Sequence, residues 1–190
     1  MKKNNPIFSF FILVFLLSNL LIFGQEDFKF ETLSIEKNDI QSVVYKSCYD
    51  KNGNVWFATE DGLVRFNSKE SYVYNTTFGI PEPLGNRIYS ILNDAKNNLW
   101  IGSEKGLALY DAKKDAFDLI ATGPKKINRT NYLHDDNQGN IWVASNNGLW
   151  KYNQNWGSKI TKHYFENLLV YSIASINSTL FILTNEGVYS

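Results

Sequence analysis

The sequence DKNGNVWFATEDGLVRF at residues 50–66 recurs twice along the chain, as DAKNNLWIGSEKGLALY at 94–110 and DNQGNIWVASNNGLWKY at 136–152. A weaker fourth copy, TLFILTNEGVYS, occupies residues 179–190. The tryptophans of the three strong copies are 44 and 42 residues apart. Self-similarity at a period of about 40 residues is typical of a repeat architecture. We therefore predict that the chain is built from four units of one kind.

Each unit has the pattern of four short strands. In the second unit, the β-rich runs RIYSILN, NLWIGS, LALYD and AFDLIAT follow one another and are separated by turn residues. The first turn begins with Asp, and Gly53, Gly139 or an Asn supplies the positive φ that such a turn needs. Repeated units of about 40 residues with four strands are typical of β-propeller blades. The predicted fold is all-β, a β-propeller of four-stranded antiparallel blades with about four blades present.

A single blade cannot bury both of its faces, so its sheet has to lie between neighbouring blades. The tryptophans are therefore predicted to fill the layers between blades, at Trp56, Trp100 and Trp142. Within a propeller region at 25–190, the blades are predicted at about 40–80, 85–123, 128–166 and 168–190, with a lead-in strand at 28–35.

The first 24 residues have the order of a secretory signal peptide. Lys2 and Lys3 precede an apolar run at 7–23, and the chain turns polar after Gly24. An uncleaved membrane anchor is the alternative, although the apolar run is shorter than the roughly 20 residues that a span requires. In both cases the rest of the chain is expected to face an extracytoplasmic space.

The composition argues against several classes of function. Lys and Arg number 19, Asp and Glu also number 19, and the pI is about 6.7, so no basic field for nucleic acid is expected. Cys48 is the only cysteine, and His134 and His163 are the only histidines. These residues cannot supply an internal disulfide or a Cys/His zinc cage, so we expect neither a metal nor a cofactor.

Several side chains are candidates for catalytic or metal-binding groups. The run from Asp50 to Asn54 resembles the start of a calcium loop, but the pattern then fails, which favours a hairpin turn. His134 and His163 lack a paired nucleophile motif and are predicted to be solvated or hydrogen-bonded strand residues. Glu60 and Asp61 fall in a hairpin turn and are expected to be solvated. The sequence identifies no catalytic residue and leaves the ligand-binding residues unknown.

Two tryptophans depart from the repeat pattern. Trp150 stands where Val64 and Ala108 stand in the other copies, and Trp156 lies in a loop before an outer strand. Either side chain could stack on a sugar ring or contact a partner; local packing against the neighbouring blade is the simpler interpretation. Cys48 is predicted to be a small buried hydrophobe.

The phrase D-x-x-G-N-[LIV]-W-[FIV]-[AG]-[TS]-x-x-G-[LV]-x-x-[FY] resembles the two-component-regulator propeller repeat. This repeat occurs in the periplasmic sensor regions of bacterial hybrid two-component and related histidine-kinase receptors. The resemblance covers about residues 28–190; the fourth copy departs from it with Phe181 in place of Trp. It implies a periplasmic location, anchored to the inner membrane if the signal is not cleaved, and a ligand that is often an oligosaccharide.

The number of blades predicts an N-terminal fragment. Members of the family carry seven or fourteen repeats, and seven blades need about 290 residues at the repeat length seen here. The expected partners are the missing C-terminal blades and the membrane and kinase regions of a parent receptor. Alternatively, the lead-in strand at 28–35 closes a four-bladed ring. An open arc would expose apolar end faces and is expected to associate with itself.

The predicted function is ligand sensing without catalysis in a two-component signal-transduction receptor. A secreted interaction scaffold is a second interpretation. A propeller lyase or hydrolase is a third, and it lacks a recognisable nucleophile motif or metal cluster in the sequence.

Overall fold

The computed structural model describes residues 43–120, 126–153 and 159–190. The predicted signal peptide, the lead-in strand at 28–35 and Trp156 lie outside these ranges. The described residues form 15 β-strands and one 3-10 helix at Glu82–Leu84. Within these ranges, no helix has the length and apolar character needed to cross a membrane.

The strands fall into four sheets. The first contains β1 Val44–Tyr49, β2 Val55–Thr59, β3 Gly62–Phe66 and β4 Ser71–Tyr74. The second contains β5 Ile88–Asn93, β6 Leu99–Ser103, β7 Gly106–Asp111 and β8 Ala116–Leu119. The third contains β9 Thr130–Asp135, β10 Asn140–Ser145, β11 Gly148–Asn153 and β12 Lys159–Tyr164. The fourth contains β13 Val170–Ile176, β14 Thr179–Thr184 and β15 Gly187–Tyr189.

Every sheet is antiparallel, and its strands follow one another in chain order. The first strands of successive sheets, β1, β5, β9 and β13, are neighbours and form a row. These strands are called the inner strands below. Each sheet is one propeller blade, so the described residues form a partial propeller. The all-β propeller prediction is confirmed, with three strands in the described part of the fourth blade where the other blades have four.

Aromatic side chains fill the first two layers between blades. Trp56 is fully buried and its ring lies 5.2 Å from that of Tyr110 in the second blade. Trp100 is 1% exposed and lies 6.3 Å from Tyr152 in the third blade. Both tryptophans thus pack against the following blade, as the repeat pattern predicted.

The third layer is less complete. Trp142 lies in the predicted layer but is only partly buried, and it packs in the cluster that includes Leu180 of the fourth blade. Beside it lies an open pocket lined by Lys151, Ser175, Ser178 and Leu180, so the fourth blade does not cover the ring completely.

The hairpin glycines are required by the backbone. Gly62 has a φ of 131° where β2 turns into β3, and a Cβ there would collide with the backbone carbonyl oxygen of Tyr74. A residue with a side chain would need both an unfavourable φ and a displaced strand. The equivalent Gly106, Gly148 and Gly187 have φ values of 148, 114 and 138°, and this shared positive φ accounts for a glycine at the same position in all four copies of the repeat.

Candidate functional site

The same set of hydrogen bonds, accepted by an aspartate carboxylate, fixes the turn that follows each of the first three inner strands. In the first copy, Asp50 Oδ1 accepts the backbone N–H groups of Asn52 and Asn54 at 2.8 and 3.1 Å. Its Oδ2 accepts Asn54 Nδ2 at 2.8 Å and Trp56 Nε1 at 2.9 Å. One carboxylate therefore closes the turn and orients the tryptophan that fills the layer between blades.

The other two strong copies repeat this hydrogen-bond pattern. Asp94 accepts Trp100 Nε1 at 2.8 Å, and Asp136 accepts Trp142 Nε1 at 3.0 Å. The fourth blade has a two-residue turn instead, and Phe181 lacks an indole N–H. The sequence identified the aspartate as a turn residue, whereas its bond to the tryptophan was missed. The constant six-residue separation of Asp and Trp was the available signal.

The same hydrogen bonds show that the calcium-like run from Asp50 to Asn54 is a hairpin turn, as predicted. Burial raises the pKa of the Asp50 carboxyl, but the hydrogen bonds from Asn54, Trp56 and Asn52 outweigh this effect and hold the pKa below its ordinary value. Both carboxylate oxygens are engaged in the turn. Among the described residues, no group of three or more His, Cys, Asp or Glu side chains is placed to hold a metal ion.

A cleft of about 780 Å³ opens beside these turns, along the first three inner strands. Its walls come from the second halves of these strands and from the residues that follow them. Side chains that could contact a ligand belong to Lys46, Cys48, Tyr49, Asn93, Tyr132 and His134. Because three blades contribute to one cleft, a ligand bound there would contact all of them at once.

Lys46 and Tyr132 bring a cation and an aromatic ring together in this cleft. Lys46 Nζ lies 3.8 Å from the centroid of the Tyr132 ring, although the two residues are on β1 and β9. Burial lowers the pKa of the Lys46 ammonium group. Burial also raises the pKa of the Cys48 thiol to about 11, so this side chain is a neutral thiol at pH 7.

Two polar atoms of residues that line the cleft are buried without a hydrogen-bond partner among the described residues. They are Asn93 Oδ1 and His134 Nε2. Burial lowers the pKa of His134 and outweighs the opposing charges of Asp135 and Asp136, so the ring is neutral at pH 7. The expectation of a solvated or hydrogen-bonded histidine is therefore wrong at this ring nitrogen. An unsatisfied buried polar atom costs free energy, so these two atoms lower the stability of the fold; both are closed to solvent and are not contact points on the cleft surface.

The second histidine lies away from the cleft. His163 Nε2 donates a hydrogen bond to the carbonyl oxygen of Asn147 at 2.7 Å, as expected for a bonded strand histidine. Its ring stacks on Trp150 with centroids 3.6 Å apart. Trp150 is 1% exposed and donates Nε1 to Ser145 Oγ at 3.0 Å. Trp150 therefore packs locally and has no open face for a sugar ring.

Two further residues considered in the sequence, Glu60 and Cys48, lie outside any catalytic arrangement in the described part of the chain. Glu60 is solvated as expected, with its side chain 37% exposed, and its Oε1 lies 2.9 Å from Arg87 Nη2 across the first two blades. Cys48 is partly buried. The sequence did not identify Lys46, Asn93 or Tyr132 as cleft residues. Lys46 and Tyr132 occupy the same repeat position, and variation there beside constant Asp and Trp positions was the only signal.

Comparison with protein families matches two segments, residues 39–61 and 83–105, to the model described as "Two component regulator propeller". The predicted resemblance to this repeat is thereby confirmed. No curated protein matches the chain.

Solved propellers align with most of the chain. An extracellular domain of a one-component system from B. thetaiotaomicron has a TM-score of 0.68 and 20% identity, covering 82% of this chain and 25% of that chain. An extracellular domain of a hybrid two-component system from the same organism has a TM-score of 0.65 and 25% identity, covering 77% of this chain and 20% of that chain. The chain thus spans a quarter or less of the length of these structures.

A virginiamycin B lyase from Staphylococcus aureus also aligns, with a TM-score of 0.64 and 11% identity, covering 86% of this chain and 55% of that chain. At this identity the similarity concerns the fold alone. The propeller fold therefore does not by itself distinguish a receptor domain from a lyase.

Proposed function

We propose, from the premise that the chain carries two-component-regulator propeller repeats, that it is the ligand-sensing region of an extracytoplasmic signal-transduction receptor. The matched family model and the similar extracellular domains from B. thetaiotaomicron support this proposal. The signal peptide predicted at residues 1–24 would export the region to the periplasm.

The observation that carries the proposal is the cleft along the inner strands. Its volume of about 780 Å³ lies within the roughly 300–1,000 Å³ typical of small-ligand sites. Its walls combine the aromatic rings of Tyr49 and Tyr132 with the polar side chains of Asn93 and His134. A ligand rich in hydroxyl groups can satisfy both kinds of surface, because its C–H faces pack on rings and its hydroxyls donate and accept hydrogen bonds. We therefore assign an oligosaccharide as the ligand class.

The cleft residues would bind and orient this ligand without transforming it. The neutral His134 ring and the Asn93 amide would exchange hydrogen bonds with hydroxyl groups, and Tyr49, which is 76% exposed, would contact a ring face. Since the ligand would touch three blades together, binding favours the arrangement in which their inner strands are correctly spaced. A receptor can use such a population shift as its signal.

The test is a thermal and calorimetric screen of the purified chain against neutral and acidic oligosaccharides. A bound oligosaccharide raises the melting temperature, because it binds the folded state. Asn93→Leu and His134→Phe should weaken binding about tenfold or more, whereas the matched surface variant Lys69→Gln should bind as the parent does. Turnover of a bound oligosaccharide, or no binding to any of them, would overturn the proposal.

A secreted interaction scaffold is a second candidate, favoured by one surface. The outer face of the fourth blade exposes Phe181, Leu183 and Val188 to the extent of 37, 44 and 66%. The corresponding tryptophan faces of the first two blades are covered by the next blade. If this face pairs copies of the chain, sedimentation velocity will detect a concentration-dependent dimer that Leu183→Lys abolishes. A monomer at all concentrations would reject the scaffold.

A further inference from the structure

Each of the four inner strands contains a one-residue irregularity at the same place. In β1, Val44 pairs with Thr59 and Lys46 pairs with Ala58, so one residue of β1 has no place in the register. The same shift occurs in β5, β9 and β13. The residues left out of the pairing are Tyr45, Tyr89, Asn131 and Tyr171. A bulge of this kind releases its side chain from the alternation of the strand and re-aims it.

Three of these four bulged residues are tyrosines, called the tyrosine row below: Tyr45, Tyr89 and Tyr171. Tyr45 and Tyr171 are 40 and 47% exposed. The residue before the bulge is fully buried in β13, at Val170, but it is 52% exposed in β1, at Val44. The Tyr45 and Tyr89 rings contact each other across β1 and β5 with centroids 4.9 Å apart. A bulge needs no aromatic residue, so the repeated choice of tyrosine is not explained by the backbone.

The remaining bulged residue has a different role. Asn131 donates Nδ2 to Asn146 Oδ1 at 2.9 Å and to the carbonyl oxygen of Val170 at 2.8 Å. It therefore ties the third blade to the start of β13, and the third position of the row is occupied by a structural side chain. Tyr89 forms a side-chain hydrogen bond with Arg87, whereas Tyr45 and Tyr171 keep exposed surface.

A cation accompanies the row. The guanidinium carbon of Arg129 lies 3.8 Å from the centroid of the Tyr89 ring. Arg129 is exposed, and it forms no ion pair with the described residues. Two carboxylates of the turns at this end of the inner strands are otherwise placed, since Glu60 pairs with Arg87 and Glu104 lies beside Gly85. Arg129 therefore presents hydrogen-bond donors without an anionic acceptor in the described part of the chain.

The row lies apart from the cleft already described. The cleft is lined by β1 from Lys46 onward and by the turns after the inner strands. The bulges come at the second residue of these strands, beside the turns that begin at Glu60 and Glu104 in the first two blades. The inner strands thus carry two groups of ligand-compatible side chains, one towards each end.

We propose that Tyr45, Tyr89 and Arg129 form a subsite for an acidic sugar residue of an oligosaccharide, an inference that rests on the proposed function. The exposed Tyr45 ring offers a surface on which a pyranose can stack. Arg129, held on the Tyr89 ring, donates charge-assisted hydrogen bonds to the carboxylate of the sugar. The ligand class is therefore a uronate-containing oligosaccharide, and a neutral chain of the same length would bind less tightly.

The experiment uses the full chain and isothermal titration calorimetry with oligosaccharides of polygalacturonate, alginate and hyaluronate. The neutral probes are maltotetraose and cellotetraose. Tyr45→Ala and Arg129→Gln should each weaken binding of the best acidic probe about tenfold, and Arg129→Gln should remove the preference for acidic over neutral probes. The matched controls Tyr72→Ala and Lys69→Gln change an exposed tyrosine and an exposed lysine on the outer part of the first blade. Both controls should bind as the parent does.

The outcomes separate this inference from the proposed function. If no oligosaccharide binds the parent chain, the proposed function and the subsite fail together. If an oligosaccharide binds but the Tyr45 and Arg129 variants bind equally well, the subsite is wrong and the cleft remains the site. Saturation-transfer NMR gives an independent readout, because the ring protons of a stacked uronate should receive magnetisation from the parent and less from the Tyr45 variant. A preference for neutral probes would also overturn the subsite.

Discussion

The first two layers between blades use the same tyrosine in different surroundings. Tyr110 in the second blade and Tyr152 in the third occupy one repeat position, and each ring packs against the tryptophan of the preceding blade. Tyr110 donates its hydroxyl to Asp115, which also accepts Tyr74 at 2.8 Å and Arg65 at 2.9 Å from the first blade. The hydroxyl of the fully buried Tyr152 has no partner among the described residues.

The difference follows from the residues around the rings. The positions that hold Arg65 and Tyr74 beside the first layer hold Leu109 and Ile120 beside the second, so the second layer has apolar side chains where the first has donors. Ring packing between blades therefore recurs in both layers, whereas the polar contacts differ from one pair of blades to the next. In both layers burial raises the pKa of the tyrosine, and in the first layer Asp115 raises it further.

The largest effect is expected from removing the acceptor of the first layer. Asp115→Ala leaves the hydroxyls of Tyr74 and Tyr110 and the guanidinium of Arg65 without their shared carboxylate. We expect a loss of about 2 kcal/mol in the free energy of unfolding, because three donors lose an acceptor that is itself partly exposed. Urea denaturation measures this loss. The control Asp118→Ala removes an exposed ion pair with Lys114 and should leave the free energy of unfolding nearly unchanged.

Replacing Tyr110 or Tyr152 by phenylalanine should change the free energy of unfolding by a smaller amount, and differently at the two positions. Tyr110→Phe removes a hydroxyl that bonds to Asp115 and Arg65, and should cost about 1 kcal/mol. Tyr152→Phe removes a buried hydroxyl that has no partner, and should leave the stability unchanged or raise it by up to about 1 kcal/mol. Thermal and urea unfolding of the two variants, compared with the parent, measure the contrast. Equal destabilisation by both would show that the second hydroxyl is also bonded in solution.

The smallest effect is the acid dependence of the first layer. Burial raises the pKa of the Asp115 carboxyl, but hydrogen bonds from Tyr110 and Tyr74 and the charge of Arg65 outweigh it and hold the pKa below its ordinary value. A depressed carboxyl pKa in the folded state contributes stability above the ordinary value of about 3.9, and this contribution is lost as the pH falls through the folded-state pKa.

The free energy of unfolding of Asp115→Ala should therefore fall less steeply below pH about 4 than that of the parent. Tyr152→Phe should keep the slope of the parent, because Tyr152 contacts no carboxylate among the described residues. Urea titrations at several pH values measure both slopes. Identical slopes for the parent and Asp115→Ala would contradict the assignment.

The candidate sites were less accessible to sequence analysis than the fold. Asp50 and Trp56 recur with fixed spacing, so both were recognised, and only their mutual hydrogen bond was missed. Lys46, Asn93 and Tyr132 lie in positions that change from copy to copy, so the repeat pattern gives them no signal. The bulges at Tyr45 and Tyr89 were also missed, because a bulge is defined by pairing with the neighbouring strand and not by the strand's own residues.

The sequence alone determined the fold class, the number of blades and the turns of each hairpin. These features depend on local chemistry, such as the aspartate that closes a turn and the glycine that adopts a positive φ. The same residues recur at the same positions in several copies, which makes the pattern recognisable. Only the tertiary structure decided which side chains meet across blades. The Tyr152 hydroxyl has no partner among the described residues, and Arg129 lies on the Tyr89 ring. Neither could be predicted, because contacts between blades join residues about 40 positions apart, where no local pattern constrains both partners.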